Sequence, residues 1–176
     1  IYLSSVFHEI ISYLNRQERT EIITMIMESL KTDGYLIIRD WANPNDTNQL
    51  FCIKPVSNQA TQEIEIWINE LLKNSIIDND YNKSEDGSIF THSKNAYEII
   101  FHTVWGLKSL SRESKEQYNI EDSIMNWIFY PHEKSIHLKT VYQETDETYL
   151  PHLQKYFDLD SVPYNTKSIY IFQKVV

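Results

Sequence analysis

Glycine is scarce in this sequence, and its scarcity limits the ligands that these residues can bind on their own. The 176 residues include three glycines, Gly34, Gly87 and Gly106, and no two of them are close together. Loops that hold phosphates or dinucleotides use several closely spaced glycines, because the backbone must approach the phosphate closely. The sequence therefore excludes a glycine-rich nucleotide-binding loop built from these residues alone.

Disulfides, membrane spans and a basic surface are excluded on similar grounds. Cys52 is the single cysteine, so no internal disulfide can form, which fits a reducing compartment and predicts a cytoplasmic location. The apolar runs are too short to span a bilayer, so no membrane partner is expected. The formal net charge of -9 disfavours non-specific binding to nucleic acid, because phosphate contacts require clustered lysine and arginine.

The beginning of the sequence predicts a strand-helix-strand unit. Residues 1–5 resemble the end of a strand that no signal peptide precedes, so we expect the chain to begin partway through a larger protein. Asn15 followed by Glu18 predicts a capping box, and the helix after it carries apolar residues on one face until Gly34 ends it with a left-handed cap. The apolar run at residues 35–38 is typical of a strand in a parallel sheet.

The rest of the sequence predicts helices first and strands later. A short strand is expected at residues 50–53, and helices with one apolar face are expected at residues 58–73 and 93–105. Short polar helices are expected at residues 111–118 and 123–130. The segment 74–87 is rich in Asn, Asp and Ser and predicts a loop. A strand at 136–145 and a helix at 151–157 come next, and then a hairpin with strands at 158–163 and 168–175 and a turn at 164–167.

Four stretches near the two ends occur in an order that a known family shares. They are IYLSSVFHEI at residues 1–10, LKTDGYLIIRD at residues 30–40, the predicted helix at 150–157, and the hairpin that ends in IYIFQK at residues 169–174. The second stretch is the most specific, with leucine, lysine, two turn residues and glycine before an apolar strand. Together they resemble the class I methyltransferases, which are Rossmann-like enzymes that use S-adenosylmethionine.

The resemblance implies an α/β fold with a partial Rossmann-like methyltransferase sheet, mostly parallel with a terminal antiparallel hairpin, plus a largely helical insertion. Residues 1–43 and 146–176 would form the core, and residues 44–145 would form the insertion that covers the substrate. The family's glycine-rich loop and ribose-binding acidic residue have no match here. Binding of S-adenosylmethionine would therefore require the missing N-terminal half, and this chain alone is expected to be inactive. The resemblance does not identify the methyl acceptor, which is either a small molecule or a macromolecule.

His8 and Glu9 are the predicted catalytic residues, because they lie where the first strand ends. Methyl transfer is an in-line displacement, for which a protein supplies alignment and sometimes a base. His8 is expected to act as that base or to bind the substrate, and Glu9 is expected to orient His8 or a substrate amine. The alternatives are structural: a histidine that packs or caps at a helix start, and a carboxylate favoured by the helix dipole.

The other predicted contacts come from the same ends of the two strands. The expected cofactor-binding residues are Ser4, Ser5 and Val6. Asp40 and Trp41 are expected to contact the substrate, Trp41 by stacking on a flat group, and Tyr13 is expected to line the site. The structural alternatives are small residues that let the strand end pack, a carboxylate that starts a turn, and aromatic residues of the core.

Two further groups of residues contain side chains that bind ligands in other proteins, the histidines and a basic cluster. The six histidines form no pair on one helical turn, so no metal site is expected. A basic cluster near Trp105, made of Lys108, Arg112 and Lys115, is able to meet a phosphate or carboxylate of a substrate. The alternative is a solvated helix face, because Glu113 and Glu116 alternate with the basic residues.

Two other functions stay open beside the methyltransferase. The chain is also consistent with a degenerate methyltransferase-like scaffold or interaction module, and with a nucleotide-binding α/β domain of another kind, such as a dehydrogenase fragment. An incomplete sheet would expose unpaired backbone groups at its edge, and we expect such an edge to favour self-association.

Overall fold

The strands of the chain form two sheets in the computed structural model, which describes residues 1–41, 49–162 and 166–176. The larger sheet has the order β1 (Tyr2–Ser4), β2 (Tyr35–Trp41), β7 (Lys167–Lys174) and β6 (Ile136–Glu144). The smaller, antiparallel sheet has the order β3 (Leu50–Ile53), β5 (Ile89–His92) and β4 (Tyr81–Lys83). The chain is therefore a mixed α/β protein, which agrees with the fold class that the sequence predicts.

Helices connect the strands of both sheets. The longer ones are α1 (Phe7–Tyr13) and α2 (Arg16–Ser29) between β1 and β2, α3 (Asn58–Lys73) after β3, and α4 (Ser93–Thr103) after β5. The shorter ones are α5 (Leu110–Glu113), α6 (Glu121–Ile124), a π-helical turn (Met125–Phe129), α7 (Tyr130–His132) and α8 (Leu150–Tyr156), with 3₁₀ turns at Leu107–Ser109, Glu147–Tyr149 and Leu159–Ser161. Within the described ranges, none of the helices combines the length and apolar character that spanning a bilayer requires.

The predicted strand-helix-strand unit is present, with β1 and β2 as parallel neighbours in one sheet. Tyr2 lies opposite Ile37 in the ladder. The predicted capping box of α2 is confirmed: the Asn15 side chain accepts hydrogen bonds from the N–H groups of Gln17 (2.9 Å) and Glu18 (3.1 Å), and the Glu18 carboxylate accepts one from the Asn15 N–H (2.8 Å). Local sequence signals therefore set the position of this unit.

The turn between α2 and β2 differs from the prediction in one residue. Asp33, with φ 62, adopts the left-handed conformation, whereas Gly34 does not. Gly34 is required for another reason, because its N–H donates to the Lys31 carbonyl at 2.8 Å and an added Cβ would lie 2.7 Å from that oxygen. The glycine thus serves a close backbone approach, and the aspartate supplies the positive φ.

The C-terminal hairpin was predicted with the wrong partner strand. β7 runs antiparallel to both β2 and β6, so it is the single reversed strand of the four-stranded sheet. Residues 159–161 form a 3₁₀ turn instead of a strand, because the Asp158 side chain accepts from the Asp160 N–H at 3.2 Å. Residues 163–165, which the predicted hairpin includes, lie outside the described residues. The actual partner, β6, comes from the range 44–145, which was predicted to be an insertion.

The range predicted to be largely helical also contains the three-stranded sheet, and the predicted loop at 74–87 is wrong where β4 lies. β4 and β5 pair across a tight turn in which the Ser84 N–H donates to the Ser88 carbonyl at 3.0 Å. Asp86 accepts from the Ser88 N–H at 3.0 Å, and Gly87 has φ 84. The polar residues that predicted a loop are therefore those of a hairpin turn.

Two hydrophobic cores flank the end of β2. One packs α1 and α2 on the four-stranded sheet and includes Phe7, Ile23, Met27, Leu36, Ile38 and Phe172. The other surrounds α3 and α4 and includes Ile64, Ile68, Ile100, Phe101 and Leu153. Trp41, the last residue of β2, belongs to the second core, so this strand connects the two.

The outer edge of β1 generates a prediction about self-association, because β1 pairs only with β2 in the part of the chain that the structure describes. We expect the wild-type chain to associate as its concentration rises and the Tyr2→Lys variant to associate less, since edge lysines oppose strand pairing. Sedimentation measures the change in mass. Tyr130→Lys is the matched control, because Tyr130 is 56% exposed and Tyr2 is 59% exposed. A strictly monomeric wild-type chain at high concentration would contradict the expectation.

Candidate functional site

A cleft of about 420 Å³ lies at the carboxyl ends of β1 and β2, beside the start of β7. Its lining residues are Ser5, His8, Glu9, Tyr13, Trp41, Trp105, Arg112, Glu113, Glu116, Tyr149 and Lys167. Five of the eight predicted site residues are among them, namely Ser5, His8, Glu9, Tyr13 and Trp41. The carboxyl ends of parallel strands are where open α/β sheets bind ligands, so this cleft is the candidate functional site.

The centre of the cleft is a buried histidine-carboxylate pair. The Nδ1 atom of His8 lies 2.7 Å from Oδ1 of Asp40, and the Asp40 side chain is 1% exposed. Oδ2 of Asp40 also accepts a hydrogen bond from the backbone N–H of His8 at 3.1 Å. Because Val6, the residue before α1, provides no side-chain cap, Asp40 supplies the acceptor that the first turn of this helix needs.

The charges of the pair change the pKa of each partner. Burial by itself lowers the pKa of His8, but the hydrogen bond and charge of Asp40, with the charge of Glu116, outweigh it, so the pKa is raised above 6.5. Burial raises the pKa of Asp40, but its bonds to the ring and backbone of His8 outweigh that effect and lower the pKa below 3.8. The pair therefore favours a protonated His8 beside an ionised Asp40.

The second ring nitrogen of His8 faces another carboxylate. Nε2 of His8 lies 3.4 Å from Oε2 of Glu116, and the Tyr13 hydroxyl donates to Oε1 of Glu116 at 2.7 Å. Burial, with the nearby charge of Glu113, raises the pKa of Glu116. His8 thus lies between two carboxylates, one fixed at each ring nitrogen.

A third carboxylate joins the cleft to the aromatic residues behind it. Glu113 accepts a hydrogen bond from the Tyr118 hydroxyl at 2.6 Å, and it pairs with Arg112, whose Nε lies 2.7 Å from Oε1. Glu113 and Glu116 are both almost fully buried. The alternative of a solvated helix face agrees with the exposed Lys108, Arg112 and Lys115, but it is wrong for Glu113 and Glu116, which have polar partners in the cleft.

Trp41 is the centre of the aromatic wall. Its ring stacks on Tyr118 with centroids 4.6 Å apart, and it contacts Phe101 at 5.4 Å, Tyr149 at 5.2 Å and the edge of Trp105 at 6.0 Å. The indole Nε1 of Trp41 is buried and has no hydrogen-bond acceptor among the described residues. Trp41 is therefore both a core aromatic and a wall of the cleft.

Lys167, the first residue of β7, brings a cation into this wall. The residue is 1% exposed, its Nζ donates to the Ser5 hydroxyl at 3.0 Å, and Nζ lies 3.8 Å from the centroid of the Trp41 ring. Burial lowers the pKa of Lys167 to about 8. An ammonium on an aromatic face is a favourable cation–π contact, and the strand order alone makes it possible because β7 starts beside the end of β2.

A buried carboxyl group supports the aromatic wall from the second core. Glu98, which is 0% exposed, accepts hydrogen bonds from the N–H groups of Tyr118 (3.1 Å) and Asn119 (2.6 Å). Burial raises the pKa of Glu98 to about 7. The His102 ring stacks on Tyr118 with centroids 4.0 Å apart, and burial lowers the pKa of His102 to about 4. Tyr118 is thereby held in place behind Trp41.

Of the three predicted cofactor-binding residues, only Ser5 lines the cleft. Ser4 is exposed and ends β1, and Val6 is half-buried before α1, but neither lines the cleft. The backbone N–H of Ser5 donates to the Arg39 carbonyl at 2.7 Å, and Ser5 has φ 52. The Ser5 amide is therefore engaged within the sheet, and its hydroxyl accepts from Lys167.

Four residues of the cleft have no role in the sequence-based prediction: Glu113, Glu116, Tyr149 and Lys167. The basic cluster pointed to the right segment, because Arg112 lines the cleft, but the acidic residues beside it were interpreted as solvent-facing. Lys167 was assigned to a turn. Among the described residues, no group of three or more His, Cys, Asp or Glu side chains has an arrangement that could hold a metal ion.

Comparison with known proteins returns no matching family model, no matching curated protein and no matching solved structure.

The His8–Asp40 pair predicts a change in the titration of His8. In Asp40→Asn, we expect the pKa of His8 to fall below its wild-type value, because a carboxylate charge would no longer oppose the effect of burial. NMR titration of the His8 ring protons measures this. Asp160→Asn, which removes an exposed carboxylate outside the cleft, is the matched control and should leave the His8 titration unchanged. Equal His8 titrations in wild type and Asp40→Asn would refute the assigned cause.

The same pair predicts a pH window for stability. Because the pKa of His8 is raised in the fold, its contribution is full below 6.5 and is lost as the pH rises through the higher folded-state value. Because the pKa of Asp40 is lowered, its contribution is present above 3.8 and is lost as the pH falls through the lower folded-state value. Between these limits, Asp40→Asn should lower the free energy of unfolding by about 2 kcal/mol. Denaturant unfolding across the range tests this, and a pH-independent difference would count against it.

Proposed function

We propose that this chain is the substrate-side part of an S-adenosylmethionine-dependent methyltransferase with a partial Rossmann-like sheet. The three glycines of the chain cannot form the family's glycine-rich loop. We therefore propose that the cofactor is held together with residues of a longer protein and that this chain alone is inactive. The acceptor is a small molecule or a side chain of size suited to a cleft of about 420 Å³.

The sheet order is the observation that carries this proposal. β1, β2 and β6 run in one direction, and β7 alone is reversed and lies between β2 and β6. A mostly parallel sheet with one antiparallel strand inserted near an edge is the arrangement that the resemblance implies. The candidate cleft also lies at the carboxyl ends of the parallel strands, where ligands of such sheets bind.

The residues at the end of β1 are compatible with a neighbouring cofactor. Ser4 is exposed, and the outer edge of β1 has no partner strand in the described ranges. Glu9, Glu113 and Glu116 line the cleft, and their carboxylates complement the positive charge of a sulfonium. Ser4, Ser5 and Val6 would contact the cofactor from this side. When bound, S-adenosylmethionine supplies an electrophilic methyl group.

His8 performs the proton chemistry in this proposal. With Nδ1 held by Asp40 at 2.7 Å, neutral His8 keeps its proton on Nδ1, and its unprotonated Nε2, which faces Glu116 at 3.4 Å, is the atom that accepts one from the nucleophile of the acceptor. Trp105 and Tyr149 provide aromatic walls that hold an aromatic acceptor and exclude water, while Trp41, which is 1% exposed, supports them from behind. Asp40 acts as a positioning residue, because it contacts the base and is buried away from the acceptor.

Calorimetry with S-adenosylmethionine tests the proposal. The longer protein that contains this chain should bind the cofactor saturably, and this chain alone should not. Binding by the chain alone would contradict the division of the site between two halves. Absence of binding by the longer protein would favour the alternative of a degenerate scaffold or interaction module without catalysis.

Removing the predicted base gives a kinetic prediction for the longer protein. His8→Ala should reduce the rate of S-adenosylhomocysteine formation with an active acceptor by about a hundredfold or more, because a positioned base contributes at least that much. His152→Ala is the control, since His152 is exposed on α8 outside the cleft. The wild-type rate should rise with pH above 6.5, as His8 loses its proton. Equal rates for wild type and His8→Ala would remove His8 from the chemistry.

A further inference from the structure

Lys167 is a buried cation that forms no ion pair with a carboxylate of the described residues. Within the described ranges, its Nζ has one hydrogen-bond partner, the Ser5 hydroxyl at 3.0 Å. In residues 1–41, 49–162 and 166–176, no carboxylate oxygen lies within 4.0 Å of that Nζ. A buried ammonium is costly unless it is paired and fully hydrogen-bonded. Burial still lowers the pKa of Lys167 to about 8 in spite of the charges of Asp40, Asp146 and Glu144, so the compensation within the described residues is incomplete.

The buried carboxylates of the cleft already have other partners. Asp40 bonds to His8, Glu113 accepts from Tyr118, and Glu116 accepts from Tyr13. None of these three carboxylates forms an ion pair with Lys167 in the described residues, although the Asp40 charge still raises the pKa of Lys167 against the effect of burial. Among the described residues, the Lys167 ammonium thus has no carboxylate at ion-pair distance, although the charges of Asp40, Asp146 and Glu144 act on it from further away and several acidic residues line the same cleft.

Trp41 adds a second donor beside Lys167. Its Nε1 is buried with no acceptor among the described residues, and the Nζ of Lys167 lies 3.8 Å from the centroid of the same ring. Both residues line the cleft. A donor without an acceptor in a buried wall is a costly arrangement that an acceptor group from a ligand would relieve. A carboxylate has two acceptor oxygens and no donor, so it matches this pair.

We infer that the cleft binds an aromatic carboxylate, whose oxygens accept hydrogen bonds from the Lys167 ammonium and the Trp41 indole N–H. The ring of the ligand packs against Trp105 and Tyr149, which line the same cleft. This inference deepens the proposed function by naming the class of acceptor, and it rests on that function only in treating the ligand as an acceptor.

The charges of the cleft favour a singly charged ligand over the two obvious competitors. An amine would be repelled by Lys167, which holds the position over Trp41 that a ligand cation would take. A phosphate dianion would be repelled more strongly than a carboxylate by Glu9, Glu113 and Glu116. Both competitors are therefore expected to bind less well.

Three probes of similar size separate a carboxylate ligand from a neutral and from a cationic one on the chain itself, without a methyl donor. Benzoate should bind saturably, and benzamide and benzylamine should each bind at least about tenfold more weakly, because neither carries the negative charge. Calorimetry measures the affinities. Nitrogen–proton NMR should show a shift of the Trp41 indole signal with benzoate, assigned among the four tryptophans by its loss in Trp41→Phe. No saturable benzoate binding, or equal binding of benzylamine, would overturn the inference.

Variants of Lys167 test whether its ammonium binds the carboxylate of benzoate. Lys167→Met should weaken benzoate binding by about tenfold or more, and Lys167→Arg should retain part of it, because only the second keeps a cation. Lys73→Met is the matched control, since the Lys73 side chain is 70% exposed on α3. Benzoate affinity unchanged in Lys167→Met would overturn the assignment.

A measurement on wild type covers the case in which Lys167→Met does not fold. Benzoate affinity should fall as the pH rises through about 8, where Lys167 loses its proton, while benzamide affinity should not. A pH-independent preference for benzoate would refute the role of Lys167. Because all these measurements are made without a methyl donor, they fail or succeed independently of methyl transfer by the longer protein.

Discussion

The buried carboxylate of Asp40 is the group on which the arrangement of the cleft depends. It accepts hydrogen bonds from the backbone N–H of His8 (3.1 Å), from the His8 ring (2.7 Å) and from the N–H of Trp41 (2.8 Å). A buried carboxylate without such partners would be destabilising by several kcal/mol, so these donors stay in place while Asp40 is ionised. One side chain therefore fixes the start of α1, the His8 ring and the end of β2 relative to one another.

The constraint extends from Asp40 into the second core through Trp41. Trp41 stacks on Tyr118, and Tyr118 in turn stacks on His102 and has its N–H bound by Glu98. These residues come from segments that are distant in the sequence, and each contributes either apolar area or a buried polar contact. Because interiors are close-packed, a shift of Trp41 would move both the wall of the cleft and the packing around α4.

Local signals account for the part of the structure that the sequence predicted. The capping residues Asn15 and Glu18 and the apolar run at the start of β2 specify their elements within a few residues, and the parallel pairing of β1 and β2 agrees with the prediction. The errors share a different cause. The partner of β7 is about thirty residues away from it in sequence, and Lys167 and Glu116 are buried only because distant strands and helices meet at the cleft. Charge alternation within one segment carries no information about such contacts.

The position of His8 between two carboxylates links the stability of the fold to the chemistry proposed for the cleft. Asp40 at Nδ1 and Glu116 at Nε2 both favour the imidazolium, and the protonated ring donates to each of them. In that state neither nitrogen is able to accept a proton, so the contacts that stabilise the site also prevent base catalysis. The base form requires loss of the proton at Nε2, where Glu116 is also held by Tyr13. Any ligand that draws Glu116 away from His8 would lower the pKa of the ring and release the base. In the chemistry proposed for the cleft, the second carboxylate therefore controls when His8 acts, while the first controls where its ring points.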